Sequence, residues 1–152
     1  MTALAPSKLG YMERIQMRDN NQVTGNTGLF YVCYRLSQLG WNAMPTSRNA
    51  RGVDVIAYNL DCSEIRGIQV RTLSKRAAVP LSKSLNGAIG DFWIIGDNVH
   101  EKPSVFIMCP DEVRKSAIKR VRRRDGEISY WLPAKSYEAA KFRDAWQRLG
   151  QS

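Results

Sequence analysis

Three polar side chains interrupt two apolar, β-prone runs: Asp54 within residues 53–58, and Gln69 and Arg71 within residues 65–72. If Tyr58 and Ile65 close a hairpin, Asp54 faces Gln69 at the ~5 Å separation of cross-strand neighbours. Arg71, two residues further on, projects from the same face as Gln69. A carboxylate, a carboxamide and a guanidinium then converge. The first two present hard oxygen donors, and the third can hold a phosphate through two parallel hydrogen bonds. The convergence depends on register, because a slip of one residue sends the groups to opposite faces. A plainer alternative makes Asp54 a turn residue and Gln69 and Arg71 the wet face of an antiparallel strand.

These side chains need a framework, and the flanking sequence supplies one. Apolar runs at 41–44, 53–58 and 65–72 are separated by Asn, Gly, Ser and Asp, the pattern of a three-stranded meander. A helix precedes it, capped by Thr24 or Asn26, with Leu29, Val32, Cys33, Leu36 and Leu39 at three-four spacing and Gly40 as its left-handed end. Residues 1–24 lack sustained periodicity and read as an N-terminal arm, leaving 25–150 as one domain. A loop containing Ser82, Ser84, Asn86 and Gly87 leads to two short apolar runs, 92–95 and 105–108, fit for buried strands. Pro110 and Asp111 open a helix with Val113, Ala117, Ile118 and Val121 on one face. A strand at 128–132 follows, and then a helix capped at Ser136 that uses Tyr137, Ala140, Trp146 and Leu149. The fold class is α/β, a mixed sheet flanked by helices.

The chain has 152 residues, the size of one domain rather than a repeat array or a two-domain enzyme. Its 23 Lys and Arg against 14 Asp and Glu give a net charge of +9, which favours a polyanionic partner. No apolar run approaches the ~20 residues of a membrane span, and the N-terminus lacks the layout of a signal peptide, so a cytoplasmic protein is expected. Cys33, Cys62 and Cys109 are odd in number and widely spaced, which argues for buried fillers over a disulfide framework or a zinc site. His100, the lone histidine, excludes sites built on two and reads as a solvated loop residue. Trp41, Trp93, Trp131 and Trp146 fall in apolar patterns and read as core. The densest cationic run is Lys119, Arg120, Arg122, Arg123 and Arg124, which at a helix C-terminus would complement the dipole.

The succession Gly25-Asn26-Thr27-Gly28, Leu39-Gly40-Trp41, Pro45-Thr46-Ser47-Arg48-Asn49-Ala50-Arg51-Gly52-Val53-Asp54 and Ile68-Gln69-Val70-Arg71-Thr72 resembles the PD-(D/E)xK nuclease superfamily. The resemblance covers about a third of the chain and is to the branch of Holliday-junction resolvases and Mrr-like restriction endonucleases. It implies a restriction-endonuclease-like mixed sheet, and a DNA-engaging protein that hydrolyses phosphodiester bonds with Mg²⁺ or Mn²⁺. By that resemblance Asp54 anchors the metal, Gln69 stands where the family usually has Asp or Glu, and the Val70 carbonyl is the next ligand. Arg71 replaces the family's lysine and offsets transition-state charge, with Asp54 and Gln69 completing the catalytic set. Arg48, Asn49 and Arg51 lie where a phosphate would approach, and Lys75, Arg122 and Arg123 extend the nucleic-acid contacts. Nucleases of this type often act as homodimers on two strands.

Two departures keep other readings open. Arg71 stays charged and cannot act as a base, and Leu29 occupies a place where many relatives carry Glu. Lys75 has the parity of Arg71 but lies ~13 Å further along an extended strand. The departures favour a catalytically inactive, nuclease-derived DNA-binding module as the alternative. A structural or protein-interaction domain with a basic surface is the second.

Overall fold

The computed structural model describes residues 21–47 and 52–150, and begins with helix α1 (Asn21–Gln38). The helix starts ahead of Thr24, which is buried within it rather than capping it, and its buried stripe is Thr24, Gly28, Val32 and Leu36. Leu29 and Cys33 flank that stripe half-buried, and Leu39 is exposed. Gly28 sets this phase. A Cβ there would lie 2.0 Å from Thr72 Oγ1, so the helix approaches the sheet most closely at a residue with no side chain. Gly40, at φ +88°, ends the helix as expected, and the Trp41 N–H donates to the Leu36 carbonyl at 3.0 Å.

Strands β1 (Asn42–Pro45), β2 (Val55–Tyr58) and β3 (Ile65–Thr72) form the expected antiparallel meander. β4 (Val79–Ser82) leaves this sheet. β5 (Phe92–Asp97) returns parallel to β3, and β6 (Ser104–Met108) closes the five-stranded order β1-β2-β3-β5-β6. Helix α2 (Pro110–Ser116), β7 (Ile118–Val121), β8 (Ile128–Leu132) and helix α3 (Ala134–Tyr137) follow, and a 3₁₀ turn at Trp146–Leu149 ends the described chain. The second sheet has the order β4-β8-β7.

Alternation divides the core. Ile68, Ile94, Val105 and Ile107 pack with Val32 and Leu36 of α1 and with Trp146 and Leu149. Trp93, Ile95, Phe106 and Met108 pack the other way, against Val79, Leu132 and Tyr137. β5 and β6 are thus covered on both faces, which is why their sequences are continuous apolar runs.

Several further sequence expectations are corrected. The segment around Ser82 is strand rather than loop, with Val79 and Leu81 inward. Residues 118–121 are not helical: Ala117 is already extended at ψ 141°, and the β-branched Ile118 and Val121 pair with β8 across a turn at Gly126, φ +71°. The cationic run therefore lies on a hairpin and caps no helix. The last helix is a single turn that begins at Ala134 after Pro133, so Ser136 lies within it instead of capping it. None of the cysteines is fully buried; Cys62 is exposed in the β2–β3 turn. His100 accepts or donates a 2.9 Å hydrogen bond with Thr24 Oγ1, tying the β5–β6 connection to α1. Trp41, Trp93 and Trp146 are core, whereas Trp131 is half-buried. Among the described residues no helix is long and apolar enough to cross a membrane.

Candidate functional site

The β2–β3 ladder runs from Tyr58↔Ile65 to Val55↔Ile68, the register expected from the sequence. The ladder stops at that pair: the Asp54 N–H donates to the carbonyl of Ile68, the partner of Val55, at 2.8 Å, so the expected pairing of Asp54 with Gln69 is not part of it. The Asp54 carboxylate Oδ2 accepts the Val70 N–H at 2.7 Å. That bond fixes the side chain beside β3 without neutralising it.

Gln69 and Arg71 face away from α1, on the Trp93 side of the sheet. Gln69 lies directly beside Trp93 in the β3–β5 register and is only 3% exposed. Its Oε1 is buried and has no hydrogen-bond partner among the described residues. Leaving such an acceptor unmet costs roughly 1–3 kcal/mol, so the site suits a water or an ion that would satisfy it. The Arg71 guanidinium lies over the Trp93 ring, 4.8 Å from its centroid. Its Nη1 donates to the Val70 carbonyl at 3.3 Å and is 3.7 Å from Asp54 Oδ2. A cation thus rests where the Asp54 carboxylate and the Val70 carbonyl converge. Both partners of this ion pair are more than a third exposed, so it adds little stability.

Two glycine-bearing connections close around β3. Gly52, φ +76°, precedes Asp54; a Cβ there would lie 2.1 Å from Ile89 Cδ1 and 3.7 Å from Gln69 Nε2. Gly90, φ +85°, lets Asp91 reach β3, where its N–H donates to the Gly67 carbonyl and its carboxylate accepts the Gly67 N–H, both at 2.7 Å. Asp91 is a carboxylate the sequence reading missed. Its position immediately before an apolar strand, like that of Asp54, was the available signal. Trp93, read as core, is also the platform for Arg71.

The remaining expected residues divide. Arg48, Asn49 and Arg51 lie outside the described residues. Lys75 is exposed beyond the end of β3 and has no ion pair among the described residues. Arg123 is exposed and likewise unpaired, but Arg122 is committed to Asp125, at 2.9 and 2.6 Å, and to Glu127. Leu29 packs into the layer beneath α1, on the other face of the sheet from Gln69 and Arg71.

The Asp54 carboxylate and the Val70 carbonyl, which converge on the Arg71 guanidinium, are oxygen donors of the kind a hard cation takes, and Gln69 on the same strand carries a third such oxygen. Among the described residues no three His, Cys, Asp or Glu side chains cluster, so an ion at this place would depend on Gln69 and on main-chain oxygen.

No family model matches the sequence, and no curated protein is detectably similar to it. Among solved structures, that of a bacterial homing endonuclease, I-Ssp6803I, matches with a TM-score of 0.59 at 13% identity, over 86% of this chain and 93% of that one. The mixed five-stranded sheet, the second sheet and the flanking helices are therefore a nuclease-like fold.

Proposed function

We propose that this protein engages DNA and hydrolyses its phosphodiester backbone with Mg²⁺ or Mn²⁺, as a degenerate relative of the PD-(D/E)xK nucleases. The observations that carry the reading are the Asp54 carboxylate and the Val70 carbonyl, which meet at the Arg71 guanidinium, and on the same strand the buried Gln69 Oε1, unpartnered among the described residues. A homing endonuclease of the same fold and a net charge of +9 support it.

Asp54, Gln69 Oε1 and the Val70 carbonyl would hold the cation. When bound, it would polarise the scissile phosphate and lower the pKa of the attacking water. Asp54 is held for this task by the Val70 N–H, which orients the carboxylate and keeps Oδ2 on β3. Arg71 must leave the Val70 carbonyl to admit a second cation. Its guanidinium then turns toward the phosphate, gripping non-bridging oxygens where negative charge develops. As a permanent cation it takes no proton from water, so turnover is slow. Arg48, Asn49 and Arg51, in the connection leading to Asp54, would hold the flanking backbone, with Lys75 beyond β3.

A second reading, a DNA-binding module without catalysis, is favoured by the place Arg71 occupies between the two oxygens. One experiment separates them: Mn²⁺ binding by electron paramagnetic resonance, alongside nicking of supercoiled DNA. The expected result is Mn²⁺ binding weakened at least about tenfold by Asp54→Asn, with nicking that needs the metal and is faster in Arg71→Lys. Wild-type protein that binds DNA but no Mn²⁺ establishes the module instead.

A further inference from the structure

β7 is the outer strand of the second sheet, and all four of its residues are exposed. The ribbon it forms with β8 continues into a tip, residues 122–127, of which only Glu127 is partly covered. The tip is firmly built. The Arg122 N–H donates to the Glu127 carbonyl at 2.9 Å, and the Gly126 N–H to the Arg122 carbonyl at 2.8 Å. The Arg122 guanidinium holds both Asp125 and Glu127, and Glu127 also meets Lys83 Nζ at 2.5 Å. Both acids of the hairpin are thus neutralised from within, and Arg122 is a brace.

The other cations are left unspent. Lys119, Arg120, Arg123 and Arg124 make no ion pair with any described residue. They also occupy both faces. Arg120 lies over Trp131, 5.4 Å from its centroid, while Lys119 is paired across the ribbon with Tyr130 on the opposite face. Val121 and Ile128, 57% and 37% exposed, form an apolar cross-strand pair next to the tip.

We infer that the β7–β8 ribbon enters the major groove of duplex DNA. The inference rests on the DNA-engaging reading above, and deepens it by naming the duplex and the groove. β8 is paired with β4 as far as Ser82↔Tyr130, so the part that enters is the two-stranded end from Arg120 and Ser129 to the tip. Two strands ~4.8 Å apart, with their side chains, fill a groove about 12 Å wide, and the ~6 Å minor groove does not admit them. Arg120, on the open face with Trp131, looks toward one phosphate wall, while Lys119, exposed at the margin of the face whose Tyr130 packs on the second core, meets the backbone at the rim of the groove. A flat acidic partner would call for cations on one face. Arg123 and Arg124 at the tip reach the floor, where guanine N7 and O6 accept a guanidinium, and Val121 and Ile128 suit thymine methyl groups.

The test uses the full chain, a mixed-sequence duplex of about 30 base pairs, binding across a salt series, and dimethyl sulfate protection of guanine N7. Wild-type protein should bind with steep salt dependence and protect N7 positions. Arg123→Gln with Arg124→Gln should abolish that protection and weaken binding at least about tenfold. Lys119→Gln with Arg120→Gln should lower the slope of log affinity against log salt by about 2. All four side chains are exposed, and thermal melts confirm that the variants are folded; the tip pair, on a loop, is decisive if the strand pair disturbs β7. Salt-dependent binding with N7 protection untouched by the tip pair would overturn the ribbon proposal while leaving the DNA reading intact, and would make the charges a guard against edge-to-edge pairing. Equal affinity for heparin and duplex without N7 protection would reduce the ribbon to a general polyanion patch, which also overturns it. No duplex binding at any salt defeats both readings.

Discussion

Replacing Gln69 by Met tests whether its buried oxygen is held in reserve for a cation. The two side chains are similar in length and volume, so the exchange mainly removes the carboxamide. Oε1 has no partner among the described residues and the residue is 3% exposed, so the wild-type fold carries the penalty of an unsatisfied buried acceptor, roughly 1–3 kcal/mol. Taking about 2 kcal/mol, and ~2–4 °C per kcal/mol for a domain of this size, Gln69→Met should raise the melting temperature by about 4–8 °C without metal. The order should change when Mn²⁺ is added. At a hundred times its dissociation constant a ligand stabilises the native state by about 2.7 kcal/mol, a gain expected for wild type and much reduced in the variant. Gln69→Glu should do the reverse, losing several kcal/mol without metal because its carboxylate is buried, and recovering most of it with Mn²⁺. Scanning calorimetry at matched protein concentration, with and without Mn²⁺, gives all the numbers. A Gln69→Met protein less stable than wild type in the absence of metal would refute the reasoning, since the oxygen would then already have a stabilising partner in the fold.

Two further outcomes follow from packing and charge. Gly28→Ala gains about 1 kcal/mol of helix propensity but drives a Cβ to 2.0 Å from Thr72 Oγ1, an overpacking of roughly 1–3 kcal/mol, so urea unfolding should show a net loss. Thr72→Ala in the same chain should recover part of it, and strictly additive losses would show that α1 does not approach β3 so closely. Burial alone would raise the Glu112 carboxyl, but Arg148, at 2.8 and 2.9 Å, and the Cys109 N–H hold it down to about 2. Because this folded value lies below the unfolded one, the stabilisation is present above about pH 4.5 and is lost as the pH falls toward 2. Glu112→Gln should therefore be less stable at neutral pH and flatten the acid limb of the stability profile; a limb of unchanged steepness would assign acid unfolding to other carboxylates.

The local parts of the candidate site were legible in the sequence. Alternation over residues 53–58 and 65–72, with a short connection between them, admits one register that keeps Val55, Ala57 and Ile68 together, and it is the register observed. Gly40 and the strand at Ile128–Leu132 were equally readable, because each is decided within one helix turn or one hairpin. The second sheet was not legible. Four residues such as 118–121 satisfy a helical spacing as readily as a strand, and the choice fell to β8, which needed a partner once its inner face had closed over Trp93 and Phe106. The sequence places Arg71 two residues after Gln69, but the Trp93 ring under its guanidinium arrives on β5, so only the β3–β5 pairing decides where that cation rests. The same holds for the unpartnered oxygen of Gln69 and for the bracing role of Arg122. Residue type fixes what a side chain can donate or accept, but whether a partner reaches it depends on which faces the packed layers bury.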